Sequence, residues 1–113
     1  MILGSGNVVH NLRQVDFEKL GQPGEGADWA VRFDADVQMW IKSKDFKSLS
    51  NYAAHPDAKK SVPTPDHFLP LVVVAGASEP DDEVKVITEG CDGFSLTMTS
   101  FAFSKPSHRK TDL

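Results

Sequence analysis

Cysteine is almost missing from this chain: Cys91 stands alone among 113 residues. A single thiol excludes an internal disulfide and fits a reducing, cytoplasmic compartment. Basic charge is also in short supply. Lys and Arg number 12 against 16 Asp and Glu, a formal net charge of −4. That balance leaves no electrostatic footprint for nucleic acid and no basic stripe for a membrane surface. No apolar run approaches the ~20 residues of a transmembrane helix, and Met1 is not followed by the pattern of a signal peptide. The sequence has no repeat and no low-complexity segment. What remains is an ordinary globular composition, 40% hydrophobic and 25% charged. It suffices for one small domain burying roughly two-thirds of its unfolded surface.

The stretch Gly4-Ser5-Gly6-Asn7-Val8-Val9-His10-Asn11-Leu12-Arg13 is the most informative. Three apolar residues, Met1 to Leu3, lead into a Gly-x-Gly turn, which reads as the end of a buried strand entering a loop. In an open α/β sheet, ligands bind at the carboxyl ends of strands. His10 just beyond that end is placed for proton transfer or metal ligation near neutral pH, or is a solvated loop histidine. A dinucleotide fingerprint needs a third glycine where this chain has Val9. A strand at Met1–Leu3 has no preceding neighbour in the sequence, which points to a chain that is part of something larger.

Downstream, Arg13 to Leu20 reads as loop or short helical turn, and 21–26 as a flexible loop. The spacing of Trp29, Phe33, Val37, Trp40 and Ile41 predicts an amphipathic helix over 27–42, with Asp34, Asp36 and Gln38 pointing away from the core. Asp45 is an N-cap for a second helix reaching about Ala54, with Phe46, Leu49 and Ala53 inward. His55-Pro56 ends it, His55 reading as an ordinary loop histidine and 57–61 as solvated. Thr64-Pro65-Asp66 forms a helix start with Thr64 as cap. The apolar run Phe68 to Ala75 predicts a helix buried on most sides and closed by Gly76. His67 then projects from its first turn. Ser78 to Glu83 reads as an exposed acidic loop. Val84–Thr88 and Phe94–Phe103 read as strands joined by a glycine turn, with a change of face near Ser100.

Spacing alone stops at an incomplete metal site. His10 and His67 are two candidate ligands, and no third residue has a nominating spacing, whereas a catalytic non-haem iron site wants three.

Resemblance extends this. Gly4 to Arg13 resembles the histidine segment of the class III extradiol ring-cleavage dioxygenases, particularly their DOPA dioxygenase-like subgroup. Pro63-Thr64-Pro65-Asp66-His67-Phe68-Leu69-Pro70-Leu71 is a second match and Gly93-Phe94-Ser95-Leu96-Thr97-Met98-Thr99 a looser third. The resemblance implies an α/β fold, the C-terminal part of such a domain over 1–103, with two to three helices, a C-terminal β-hairpin and a disordered tail at 104–113. It further implies a divalent metal, Fe(II) or Zn(II), with His67 at the position of the third metal ligand. That ligand is a glutamate in the protocatechuate-cleaving branch and a histidine in the DOPA dioxygenase-like branch. Two more histidine ligands come from an N-terminal part absent here. His10 matches the acid/base histidine, close enough to the metal to count as a ligand as well. Asn7 and Asn11 either orient His10 and contact substrate or cap the loop. Val62 stands where some relatives carry a histidine.

The activity so implied is cleavage of a catechol-type ring by dioxygen beside the diol. The metal lowers the hydroxyl pKa and a histidine takes and returns a proton. The alternative is a catalytically inactive fragment or a binding or regulatory subunit. A complementing N-terminal half or a homo-oligomer is the partner either reading expects.

Overall fold

The apolar stripe read from Trp29 to Ile41 builds the scaffold. In the computed structural model, which describes residues 1–21 and 23–106, helix α1 covers Asp28–Lys42. Ala30, Phe33, Val37 and Ile41 bury completely along one face, and Trp29 and Trp40 pack against them. Each large side chain so buried contributes on the order of 2 kcal/mol. Asp34 departs from expectation. It shares the buried face, lying four residues from Ala30 and three from Val37. One carboxylate oxygen accepts from Thr99 Oγ1 at 2.8 Å and Gln38 Nε2 at 2.9 Å, while the other has no partner.

Asp45 caps α2 (Phe46–Ser50) as read, its carboxylate accepting from the Ser48 amide. The helix is shorter than expected, because a 3₁₀ turn over Tyr52–Ala54 replaces its last turn. Leu49 is buried and Phe46 half-buried, but Ala53 is exposed. The segment expected to be solvated forms a one-turn helix, α3 (Ala58–Ser61). Its lysines face water, while Ala58 and Ser61, three apart, are buried.

A 3₁₀ turn over Pro65–His67 precedes α4 (Leu69–Ala77). Thr64 makes no capping bond, because its hydroxyl donates to Asp66 Oδ1 at 2.6 Å instead. Pro70 falls in the first turn of α4, where no helical hydrogen bond is lost. The helix passes through Gly76 and ends at Ser78, whose hydroxyl donates to the Ala75 carbonyl at 2.6 Å. Nor is α4 buried on most sides: Ala75 is buried, but Leu69 and Val73 are exposed.

The strands pair antiparallel among the described residues. β1 (Pro23–Gly24) pairs β3 (Cys91–Asp92), which pairs β4 (Leu96–Thr97). β2 (Glu83–Thr88) pairs β5 (Ser100–Ser104), with a register shift between Val86 and Thr88. The β2–β5 pair is the expected C-terminal hairpin, with the smaller β3–β4 hairpin inside it. The continuous strand read over 94–103 is broken. Gly93 and Phe94 both take positive φ, 61° and 75°, and the partner strand changes between Thr97 and Ser100, where the sequence changes face.

Helices and strands together give the expected α/β class. Met1–Leu3 form no strand; all three are exposed and have no pairing partner among the described residues. Of the tail, Ser104 completes β5 and Lys105 meets Asp81 at 3.1 Å. Residues 107–113, with His108, lie outside the described residues.

Candidate functional site

His10 and His67, 57 positions apart in sequence, lie face to face. Their ring centroids are 3.6 Å apart and the planes differ by 13°. Backbone contacts set this up from three sides. The His10 amide donates to the Ser61 carbonyl at 3.0 Å, and the Asn7 amide donates to the His67 carbonyl at 2.8 Å. His10 also forms an isolated antiparallel bridge with Leu96. Gly4 and Gly6 allow the close passage over the turn before α4. A Cβ on Gly6 would stand 2.1 Å from the His67 carbonyl oxygen, and one on Gly4 2.8 Å from Val74 Cγ2.

His10 is half-buried, and its pKa lies below the ordinary 6.5. Burial, which penalises the charged imidazolium, is the main cause, and the neighbouring His67 the second. Asp66 Oδ2 is 3.3 Å from His67 Nδ1, but out of line for a hydrogen bond, so that nitrogen has no hydrogen-bond partner. Asp66 itself titrates below the usual carboxylate range, held there chiefly by the Thr64 hydroxyl.

The two asparagines divide. Asn7 is half-buried and donates through Nδ2 to the Thr97 carbonyl at 2.9 Å. Asn11 is buried and both ends of its amide are engaged, donating to the Lys60 carbonyl at 2.8 Å and accepting from the Arg13 amide at 3.0 Å. It thereby caps the 3₁₀ turn Leu12–Gln14. His67 and Asn7 border a groove of about 450 Å³, walled by Leu3, Pro70, Val74 and Phe101. His10 is not among its walls.

These residues do not by themselves fit a metal ion. Among the described residues no group of three His, Cys, Asp or Glu side chains is placed to hold one. An imidazole ligand also meets a metal in its own ring plane, ~2 Å from the nitrogen. Two rings stacked at 3.6 Å share no such point, so the pair as arranged offers one ligand at most.

His55 does not make up the number. It is no ordinary loop histidine. Nε2 lies 2.7 Å from Asp36 Oδ2 and Nδ1 accepts from the Asp57 amide at 3.0 Å. The ring packs edge-on against Phe33 with centroids 5.0 Å apart, so it staples the 55–57 loop to α1.

Known proteins resemble this chain over most of its length. A 4,5-DOPA dioxygenase extradiol of Escherichia coli (strain K12) is 37% identical over 103 residues, covering 88% of this chain. The chain is related to the extradiol dioxygenases. The enzyme of the same name from Beta vulgaris is 28% identical over 108 residues, 92% of the chain. The solved structure of an uncharacterized Escherichia coli K12 protein superposes with a TM-score of 0.75 at 36% identity, covering 86% of the chain. No protein-family model matches. The chain spans 37% and 38% of the two dioxygenases and 40% of the solved protein, consistent with the C-terminal part of a dioxygenase.

Sequence reasoning missed the partners that hold the His10 segment: Ser61 under His10, and Ser95 and Thr97 along its length. The third motif, Gly93 to Thr99, carried that signal without saying what it does.

Proposed function

We propose that this chain supplies the acid/base histidine and one metal-ligand histidine of an extradiol ring-cleavage site. The observation that supports it is the His10–His67 stack, formed by the two segments that match the dioxygenase motifs. His67 is the ligand and His10 the proton carrier. This division suits a stacked pair, in which one ring can meet an ion and the other stands beside it. The remaining ligands belong to a part of the dioxygenases outside this chain, and the ion, Fe(II) or Zn(II), is held by the completed site.

The chemistry of this chain's own residues follows from burial and charge. With its pKa lowered, His10 is neutral at neutral pH and accepts a proton from a phenolic hydroxyl of a catechol-type substrate. The imidazolium so formed lies against His67 and is disfavoured by it, which favours return of the proton as the ring opens beside the diol. The largely apolar groove next to His67 lies along one flank of the site.

A second reading, a chain inactive alone that binds a complementing segment, is favoured by the absence of a three-ligand group among the described residues. One experiment addresses both. The chain is purified anaerobically, supplied with ferrous iron, and assayed for semialdehyde formation from DOPA and dioxygen. The assay is run with and without the portion of the Escherichia coli relative that the chain does not span. The chain alone retains no stoichiometric iron and gives no turnover. The mixture turns over, and His10→Gln and His67→Ala each abolish it. Turnover by the monodisperse chain alone, or complemented activity indifferent to His67→Ala, overturns the assignment.

A further inference from the structure

The third motif has no role in the chemistry above, yet two of its side chains, Ser95 and Thr97, are almost wholly buried. Thr97 meets the His10 segment at three atoms. Its amide donates to the Val9 carbonyl at 3.1 Å, its hydroxyl accepts from the Val9 amide at 3.1 Å, and its carbonyl accepts from Asn7 Nδ2 at 2.9 Å. Ser95 grips the other flank. Its hydroxyl donates to the Asn11 carbonyl at 2.6 Å and its carbonyl accepts from the Asn11 amide at 3.2 Å. His10 sits between two residues, Val9 and Asn11, that are each held at both backbone groups.

We infer that Thr97 is a positioning residue for His10, its hydroxyl fixing the register that places the imidazole on the face of His67. The hydroxyl stands where a backbone carbonyl would accept in a regular ladder. It therefore takes the Val9 amide at one position along the strand and no other. Sliding an extended segment by one residue turns its side chains to the opposite face. Such a slide would carry the half-buried His10 toward the place of the fully buried Val9. Valine in place of Thr97 keeps the shape, removes the acceptor and leaves a buried amide unpaired, which favours displacement of the segment. Serine keeps the acceptor. Ser95 supports the same register at one further carbonyl, and Asn7 ties it to the His67 turn.

The consequence for chemistry rests on the role proposed for His10. Ring geometry is measured directly, however, so failure of one is distinguishable from failure of the other. The chain is labelled with ¹³C at histidine Cε1, and the His10 and His67 signals are assigned from His10→Gln and His67→Gln spectra. In the parent chain the two rings share a cross-relaxation peak and are shifted by each other's ring current. In Thr97→Val that peak is lost and both signals move to the positions of unstacked imidazole, whereas Thr97→Ser keeps both features. Thr99→Val is the structural control. Thr99 is also buried but bonds Asp34, so its loss lowers thermal stability and leaves the stack in place. Should Thr97→Val not fold by circular dichroism, Asn7→Ala removes the bond to the Thr97 carbonyl and weakens the same peak. A stack that survives Thr97→Val in a folded chain, or is lost as fully in Thr97→Ser, overturns the assignment, as does an unchanged peak in Asn7→Ala.

Discussion

Replacing Gly6 by alanine tests how closely the first segment passes the turn before α4. The added Cβ would lie 2.1 Å from the His67 carbonyl oxygen and 3.0 Å from its carbonyl carbon. Ordinary carbon–oxygen contacts fall at 3.3–3.6 Å, so the two segments must separate by about 1 Å. The opposing atoms are backbone and cannot rotate away. Separation of that size also stretches the 2.8 Å bond from the Asn7 amide to the same carbonyl. Overpacking costs about 1–3 kcal/mol and a lost hydrogen bond about 0.5–1.5 kcal/mol. The sum is about 1.5–4.5 kcal/mol, a fall in Tm of roughly 8–22 °C for a chain this size. Gly76→Ala is the matched control, since its Cβ would meet nothing within 4 Å inside α4. It should stabilise by about 0.5–1 kcal/mol through helix propensity. Paired thermal melts read both. A Gly6→Ala chain melting within a few degrees of the parent would refute the close passage, and with it the geometry that brings His10 to His67.

His67→Ala should cost less than about 1 kcal/mol, because the ring borders the groove and is 40% exposed with no hydrogen bond to lose; a loss above ~2 kcal/mol in melts would make it a packed core residue. Asp34→Ala strands the buried Thr99 hydroxyl and should cost about 1–3 kcal/mol; urea midpoints unchanged from the parent would show that the half-satisfied carboxylate opposes folding as much as it helps. His10 predicts a pH dependence of defined sign. Its folded pKa is below 6.5, so the unfolded chain binds the proton first, and stability falls as pH drops through 6.5 toward the folded value. The carboxylates whose pKa values are lowered, such as Asp57, titrate below 3.8. The difference between parent and His10→Gln between about pH 6.5 and 4.5 therefore isolates the histidine, and parallel curves there would remove the burial and charge argument.

What the sequence made legible was set by local patterns. The α1 face followed from residues three and four apart, and the Asp45 cap from one side chain reaching the next turn. Asp34 was within reach of the same logic, since it lies on the Ala30–Val37 stripe, but polarity outweighed position. Thr64 could not be read as uncapped, because whether its hydroxyl serves the helix or Asp66 depends on rotamers. Met1–Leu3 looked like a strand because three apolar residues before a glycine turn resemble one. A strand exists only when paired, and pairing is not written in the segment itself. The His10–His67 meeting was expected from two matched motifs. Their stacking, and the hold of Ser95 and Thr97 on the His10 segment, depend on contacts across most of the chain.

The distance spanned by those contacts has a consequence for how the chain folds. The bond from the Val9 amide to the Thr97 hydroxyl joins residues 88 positions apart, so the loop it closes contains most of the protein. At roughly 5–20 residues per second, synthesis reaches Thr97 about 4–18 s after Val9. Val8 and Val9, both buried at the end, spend that interval without their partner. His10 is thus made well before the strand that holds its segment. A chain cleaved or stalled before β4 lacks the Ser95 and Thr97 bonds, leaving the Lys60, Ser61 and His67 carbonyls to hold the histidine segment.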